Sequence, residues 1–250
     1  MTIKNHSSQY GFTLVEMAIV LVILGFVLGA LLLPLQAQRE QAAFAQTNIT
    51  LDNAKQALLG FAQRNGRLPC PATNNGTATF PDDTGTANPN ASGVCIHQVG
   101  FLPATTLGIQ PTDAQGFALD AWNNRIRYTV TTANASAFTT NNAMNTLGLT
   151  ALAPDLRICA TSAIASCTAT INLISNAVVL IYSTGATGSQ VIGGGDETEN
   201  LNAVGAGQID TVFVSHGITQ TAPPNEFDHI VTWISPYVLY NAMIQAGQLH

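Results

Sequence analysis

Residues 11–35 read GFTLVEMAIVLVILGFVLGALLLPL, and the fold of the chain is organised around this stretch. A helix over residues 12–35 would be about 36 Å long, enough to cross a hydrocarbon core of about 30 Å. Its single charged residue is Glu16, close to its start. Because an unpaired carboxylate is costly in lipid, Glu16 needs either a cationic partner or a position at the membrane surface.

The composition indicates a polar but weakly charged domain outside the cytoplasm. Only 9% of the residues are charged, against a usual quarter, and Ala, Thr, Asn, Gly and Ser take the place of Lys and Glu. The formal charge is −6 with eight Lys plus Arg. That balance leaves no basic stripe for a phosphate backbone, so we expect no nucleic-acid partner.

A long helix follows from the pattern on both sides of Pro34. This proline removes a backbone hydrogen bond, which predicts a kink or a local melt in the helix. Beyond it, over residues 44–61, apolar and small residues recur at spacings of three and four, which predicts an amphipathic continuation. The helix is predicted over about residues 13–63, and Asn65-Gly66 supplies its stop.

The region after the helix alternates between loops and short strands. Two long loops rich in Asn, Thr and Gly are predicted at residues 70–110 and 185–225. Runs of β-branched and apolar residues predict the strands, and NAVVLIYS is the most apolar of them. The strands are expected over residues 125–131, 156–159, 176–183, 211–215 and 229–234. Ser235-Pro236 then begins a short amphipathic helix that ends at Gly247.

Four cysteines form two local pairs in turn-rich surroundings, Cys70 with Cys95 and Cys159 with Cys167. Two disulfides are the natural interpretation for a domain outside the cytoplasm. Four cysteines nevertheless allow three connectivities, and four free thiols are the alternative. A zinc site is disfavoured because neither pair has C-x-x-C spacing and no histidines have H-x-x-x-H spacing.

Motifs of the common enzyme classes are missing from the sequence. It has no G-x-S-x-G, no G-x-x-x-x-G-K-[ST], no H-E-x-x-H and no strand-to-helix G-x-G-x-x-G. His97, His216 and His229 are isolated in the sequence, and each is interpreted as a surface or core residue rather than a catalytic base. We therefore expect no catalytic residues and no required cofactor.

Acidic residues provide one candidate cation site. Asp196 and Glu197 lie in a glycine-rich segment, and Asp228 precedes the last predicted strand. Carboxylates and loop carbonyls are the ligands that Ca²⁺ prefers, so these three residues are candidate calcium ligands. A solvated acidic loop without metal is the alternative.

The opening stretch resembles a known class of N-terminal signal. Gly11–Glu16 (GFTLVE) and the apolar run after it are similar to the class III signal of type IV pilins and type II secretion pseudopilins. The resemblance implies that a prepilin peptidase cuts after Gly11, that Phe12 becomes an N-methylated terminus, and that Glu16 is required for assembly. Cleavage creates a cation at Phe12, which Glu16 of a neighbouring subunit can neutralise inside a helix bundle.

The same resemblance implies a domain organisation and a fold. Residues 1–11 are the leader, residues 12–35 the transmembrane and filament-core half of the helix, and residues 36–250 a globular domain that includes the amphipathic half, 36–64. The expected fold is α+β and pilin-like. A long, kinked N-terminal helix packs on an antiparallel β-sheet, and disulfides pin the long loops.

Two downstream segments resemble pseudopilins more weakly. Residues 120–128 (DAWNNRIRY) are similar to the family's D-x-W-G-N-x-x-x-Y turn, with Asn123 in place of the glycine. Asparagine tolerates a left-handed backbone, so the turn can survive. Residues 182–188 (YSTGATG), with residues 228–233, resemble the pseudopilin calcium loop. There Thr187 takes the place of an aspartate, which removes one charged ligand.

A structural role is the expected function. The chain is expected to be a minor pilin or pseudopilin subunit of a type IV pilus or type II secretion filament, with other pilins and the prepilin peptidase as partners. It is expected to be single-pass in the bacterial inner membrane, with its domain outside the cytoplasm, and later to join a pilus or periplasmic pseudopilus. Two alternatives stay open: a membrane-anchored periplasmic enzyme or ligand-binding protein with the helix as a tether, and a DNA-uptake or adhesive minor pilin.

Overall fold

The computed structural model describes residues 11–73, 84–89, 93–162, 167, 171–188, 195–201, 211–219 and 226–250, without the side chains of residues 30–36. Apart from Gly11, the predicted leader lies outside the described residues. The chain forms two compact units, Met1–Phe44 and Ala45–His250.

The first helix, α1, runs from Leu14 to Asn65. It ends where the sequence predicts. Gly66 has a φ of 65°, and its N–H donates to the carbonyl of Ala62 at 2.9 Å. This is a left-handed helix end that glycine adopts without strain. Pro34 lies within α1, and the kink expected there stays a prediction.

Among the residues described with their side chains, no helical stretch is both long and apolar enough to cross a membrane. The span expected over residues 12–35 includes residues 30–35, whose side chains are outside that description. The transmembrane role of this segment therefore stays a prediction.

The elements after α1 are short. The strands are β1 (Val99–Phe101), β2 (Arg127–Val130), β3 (Leu156–Cys159), β4 (Asn172–Ala177), β5 (Val179–Ser183), β6 (Val212–Val214) and β7 (Ile230–Ile234). The helices are α2 (Ala104–Leu107), α3 (Ala133–Ser136), α4 (Ala143–Leu147), α5 (Gly195–Leu201) and α6 (Pro236–Gln245). Helix α6 is the predicted terminal helix, with Pro236 at its first position.

The main sheet is antiparallel, as expected. Its strand order is β1-β2-β5-β7, and each neighbouring pair is antiparallel. Strand β5 is buried along its whole length, which agrees with its place in the most apolar predicted strand. Val179 and Ile181 of β5 belong to the same core cluster as Leu51 and Leu58 of α1. The amphipathic part of α1 therefore covers this face of the sheet.

A second, three-stranded sheet covers the opposite face of β5. Its strand order is β4-β3-β6, with β3 antiparallel to β4 and parallel to β6. Because successive side chains of a strand point to opposite faces, the two sheets share a second core cluster. That cluster contains Leu156, Ile158, Ala177, Leu180, Tyr182 and Phe213.

The prediction of a single strand over residues 176–183 is wrong in one respect. Within this run the chain passes from β4 in the three-stranded sheet to β5 in the main sheet. Val178 separates β4 from β5, and its N–H donates to the carbonyl of Ile234 at 2.9 Å. Its carbonyl accepts from the N–H of Thr131 at 3.0 Å. A run that is buried on both sides has no alternation that would mark where it leaves one sheet for another.

Disulfide bonds join Cys70 to Cys95 and Cys159 to Cys167. This is the local pairing that the sequence favours. The first bond ties the segment after α1 to the segment before β1, and the second closes a short loop after β3. The loops they pin are rich in polar residues, and the described residues between the cysteines of each pair add no buried member to the two core clusters.

Candidate functional site

The N-terminal part of α1 presents apolar side chains in all directions. Every large apolar side chain from Leu14 to Leu28 is exposed, by 48% to 88% of its area. A helix on the surface of a soluble domain is apolar along one stripe, whereas a helix that is apolar all round is buried in its working environment. In this segment the exposed apolar surface is therefore continuous rather than a single stripe.

Glu16 has a hydrogen-bonding partner within its own chain. Its Oε2 accepts from the backbone N–H and from the hydroxyl of Thr13, both at 2.8 Å. In return, the N–H of Glu16 donates to Oγ1 of Thr13 at 3.3 Å. This reciprocal pair is a capping box, which the sequence T-x-x-E at the start of the apolar run signals. It starts the helix and holds the carboxylate on the first turn.

A second candidate region lies where α5 meets the residues before β7. Oε1 of Glu197 accepts from the backbone N–H of Asp228 at 3.0 Å. Both side chains are buried, with 1% and 5% of their areas exposed. Potential ligand atoms of Glu197, Asp228 and His229 lie within 4.8 Å of one another, which is close enough for one metal ion.

Asn200 connects this region to β6. Its Oδ1 accepts from the N–H of Val214 at 2.7 Å, and its Nδ2 donates to the carbonyl of Val214 at 3.0 Å. Nδ2 also lies 3.1 Å from Nδ1 of His229, and the carbonyl of Asn200 accepts from the hydroxyl of Tyr182 at 2.5 Å. Asn200 thus satisfies buried backbone groups of β6. No sequence motif marks this residue.

The contacts of Asn200 determine the protonation of His229. The two bonds with Val214 orient the amide so that its NH₂ group faces His229. Nδ1 of His229 must therefore accept, which leaves the ring proton on Nε2. Burial, together with the charge of Arg127, lowers the pKa of His229 to about 4. The ring is neutral near pH 7 and offers no free lone pair to a metal ion.

The pKa of Glu197 is shifted in the opposite direction to that of His229. Burial, reinforced by the negative charge of Asp228, raises the pKa of Glu197 from 4.5 to about 7. Two buried carboxyl groups this close resist being ionised together. Glu197 therefore retains its proton up to nearly neutral pH.

Glu197→Gln is expected to gain thermal stability relative to the wild type as the pH rises. The melting temperature of the variant minus that of the wild type should therefore be larger at high pH than at low pH. The raised pKa means that Glu197 stabilises the fold fully below about pH 4.5 and loses that contribution as the pH rises through about 7. Glutamine stays neutral and avoids the loss. Thermal unfolding of both proteins at about pH 5 and pH 8 checks this, with Glu40→Gln as the control. A difference in melting temperature that is the same at both pH values would contradict it.

Asp196 faces a different part of the chain. Its Oδ1 accepts from the hydroxyl of Thr161 at 3.1 Å and from the backbone N–H of Ser162. Its Oδ2 lies 3.2 Å from Nε2 of His216. Burial raises the pKa of Asp196, but the hydrogen bonds from Ser162 and Thr161 and the charge of His216 outweigh burial and lower it. The carboxylate of Asp196 therefore has partners that differ from those of the other two calcium candidates, Glu197 and Asp228.

The turn at residues 120–124 holds the loop that follows β5. The carboxylate of Asp120 accepts from the N–H of Asn124 at 2.8 Å and from the hydroxyl of Ser183 at 2.6 Å. Asn123 has a φ of 66°, the left-handed conformation expected of a residue that replaces glycine. Nδ2 of Asn124 donates to the carbonyl of Gly185 at 2.7 Å.

Comparison with known proteins identifies the N-terminal segment. Residues 6–32 match the prokaryotic N-terminal methylation motif, and the matched segment contains Gly11, Phe12 and Glu16. No curated protein and no solved structure matches the chain significantly. The motif implies processing by a prepilin peptidase and assembly with other pilins. This chain therefore carries the prokaryotic N-terminal methylation motif, which is the signature of the prepilin-type signals of type IV pilins and pseudopilins.

Proposed function

We propose that this chain is a structural subunit, a minor pilin or a pseudopilin, of a type IV pilus or a type II secretion filament. One observation carries the proposal: the methylation motif coincides with a helix whose large apolar side chains are all exposed from Leu14 to Leu28. Such a helix is stable only in lipid or against the apolar surfaces of other subunits. A subunit that leaves the membrane for a filament meets both environments.

Charge neutralisation explains why a carboxylate stands in this helix. In the proposal, cleavage after Gly11 exposes the amine of Phe12, which is then N-methylated and stays cationic. Inside a helix bundle each charge needs a partner, because an unpaired buried charge is strongly destabilising. The Glu16 carboxylate of one subunit neutralises the Phe12 amine of its neighbour. Hydrogen bonds from Thr13 keep that carboxylate at the helix start, where a neighbour can reach it.

Before assembly, residues 12–35 anchor the chain in the bacterial inner membrane and the domain lies outside the cytoplasm. The two disulfides support this location, since such bonds persist in oxidising compartments. The low density of surface charge also suits close packing of many subunits, because like charges would otherwise repel one another.

Mass spectrometry of filaments sheared from cells that make the protein tests this proposal. The expected result is an N-terminal peptide that begins with a methylated Phe12 and is found in the filament fraction. A chain that still begins at Met1 and remains in the membrane would overturn the proposal. That result would favour a periplasmic enzyme or binding protein that uses the helix as a tether.

A further inference from the structure

The likeness of residues 182–188 to a calcium loop implies a cation between this loop and Asp228. The hydrogen bonds around Asp228 do not fit that expectation. We propose that Thr187 holds Asp228 in place of a divalent cation, so that the turn Gly185–Gly188 keeps its conformation without metal. The turn has this property whether or not the chain assembles into filaments.

Thr187 provides the donors that the carboxylate of Asp228 requires. The backbone N–H of Thr187 donates to Oδ2 of Asp228 at 2.7 Å, and its hydroxyl lies 3.0 Å from each carboxylate oxygen. Such donors stabilise an ionised carboxylate without a counter-ion. A hard cation would need the same oxygens as ligands.

The backbone at Gly185 packs against one side of Asp228. A Cβ atom at this position would lie 2.4 Å from Cγ of Asp228, so the side chain packs directly against the glycine. The Gly185 carbonyl is a loop oxygen of the kind that binds Ca²⁺. It accepts from Nδ2 of Asn124 at 2.7 Å instead. The carboxylate and the nearby carbonyl are therefore both used in bonds within the protein.

The neighbouring candidate ligands are also engaged. Oε1 of Glu197 accepts from the N–H of Asp228 at 3.0 Å, and Nδ1 of His229 lies 3.1 Å from Nδ2 of Asn200. Asp196 has its own partners at Ser162 and His216. Protein donors thus bind Oε1 of Glu197 and the carboxylates of Asp196 and Asp228.

Thermal unfolding of the full-length protein in detergent, with about 2 mM calcium or with a chelator, tests the proposal. The wild type is expected to unfold at the same temperature in both. Thr187→Asp places a second carboxylate against Asp228 and is expected to unfold several degrees lower in chelator and to recover with calcium. Thr187→Ser keeps the hydroxyl and is the matched control, expected to behave like the wild type in both conditions.

Two results would overturn the proposal. One is a wild-type melting temperature that rises with calcium by more than about 2 °C. The other is a Thr187→Asp protein that is destabilised and regains nothing with calcium, because position 187 would then not be a ligand position. If Thr187→Asp does not fold, calorimetric titration of the wild type decides. Binding with a Kd below about 1 mM refutes the proposal, and no heat of binding supports it.

Discussion

Glu16→Gln is expected to remove the protein from sheared filaments, lowering its amount there by about a hundredfold, while cleavage after Gly11 continues. Glutamine still accepts hydrogen bonds from Thr13, because capping boxes use glutamate and glutamine alike. The helix start is therefore preserved and only the charge is lost. The amine of Phe12 in a neighbouring subunit then has no counter-ion within the bundle.

The measurement is quantitative immunoblotting of filament and membrane fractions, with mass spectrometry of the N-terminal peptide in each. Asp52→Asn is the matched control, since it removes one carboxylate from the exposed face of the same helix. The control is expected to reach the filament at the wild-type level. Wild-type amounts of Glu16→Gln in filaments would show that charge neutralisation is not the role of Glu16.

Asn200→Ala is expected to destabilise the domain more than any surface substitution. The change leaves the N–H and the carbonyl of Val214 without their side-chain partner, and it removes the donor to Nδ1 of His229. Each buried polar group left unsatisfied costs about 1–3 kcal/mol. For these three groups the total loss of about 3–9 kcal/mol would lower the melting temperature by about 6 °C or more.

Circular dichroism during thermal unfolding provides the test. Asn241→Ala is a suitable control, because Asn241 is exposed on α6 and accepts one bond from Gln245. It is expected to change the melting temperature by less than about 2 °C. If Asn200→Ala and Asn241→Ala unfold at the same temperature, the bonds of Asn200 do not stabilise β6.

The positions of Asp196 and Glu197 show a limit of prediction from spacing in the sequence. Asp196 and Glu197 are adjacent in α5, and adjacent helical side chains point about 100° apart. One therefore reaches Ser162 and the other reaches Asp228. Spacing along the chain grouped them as ligands of one ion, whereas the folded chain gives them different partners.

The turn at residues 120–124 was more predictable. Asp120 bonds the N–H of Asn124 only four positions away, and Asn123 has the left-handed φ expected from its replacement of glycine. The bond from Asn124 to Gly185 spans 61 positions, and no local pattern indicates it. The motif therefore predicted the conformation of the turn, whereas the contact of the turn with Gly185 depends on the tertiary fold.

By itself, the sequence determined the features that depend on neighbours within a few positions. These are the apolar run, the helix end at Gly66 and the main apolar strand. Caps, turns and periodic faces use contacts within about four residues or one repeating period, so the residue pattern encodes them directly. Only the tertiary structure decided the change of sheet at Val178 and the network around Asn200. The partners of Asn200 lie 14 and 29 positions away, and spacing in sequence does not determine which side chains meet when separate elements pack.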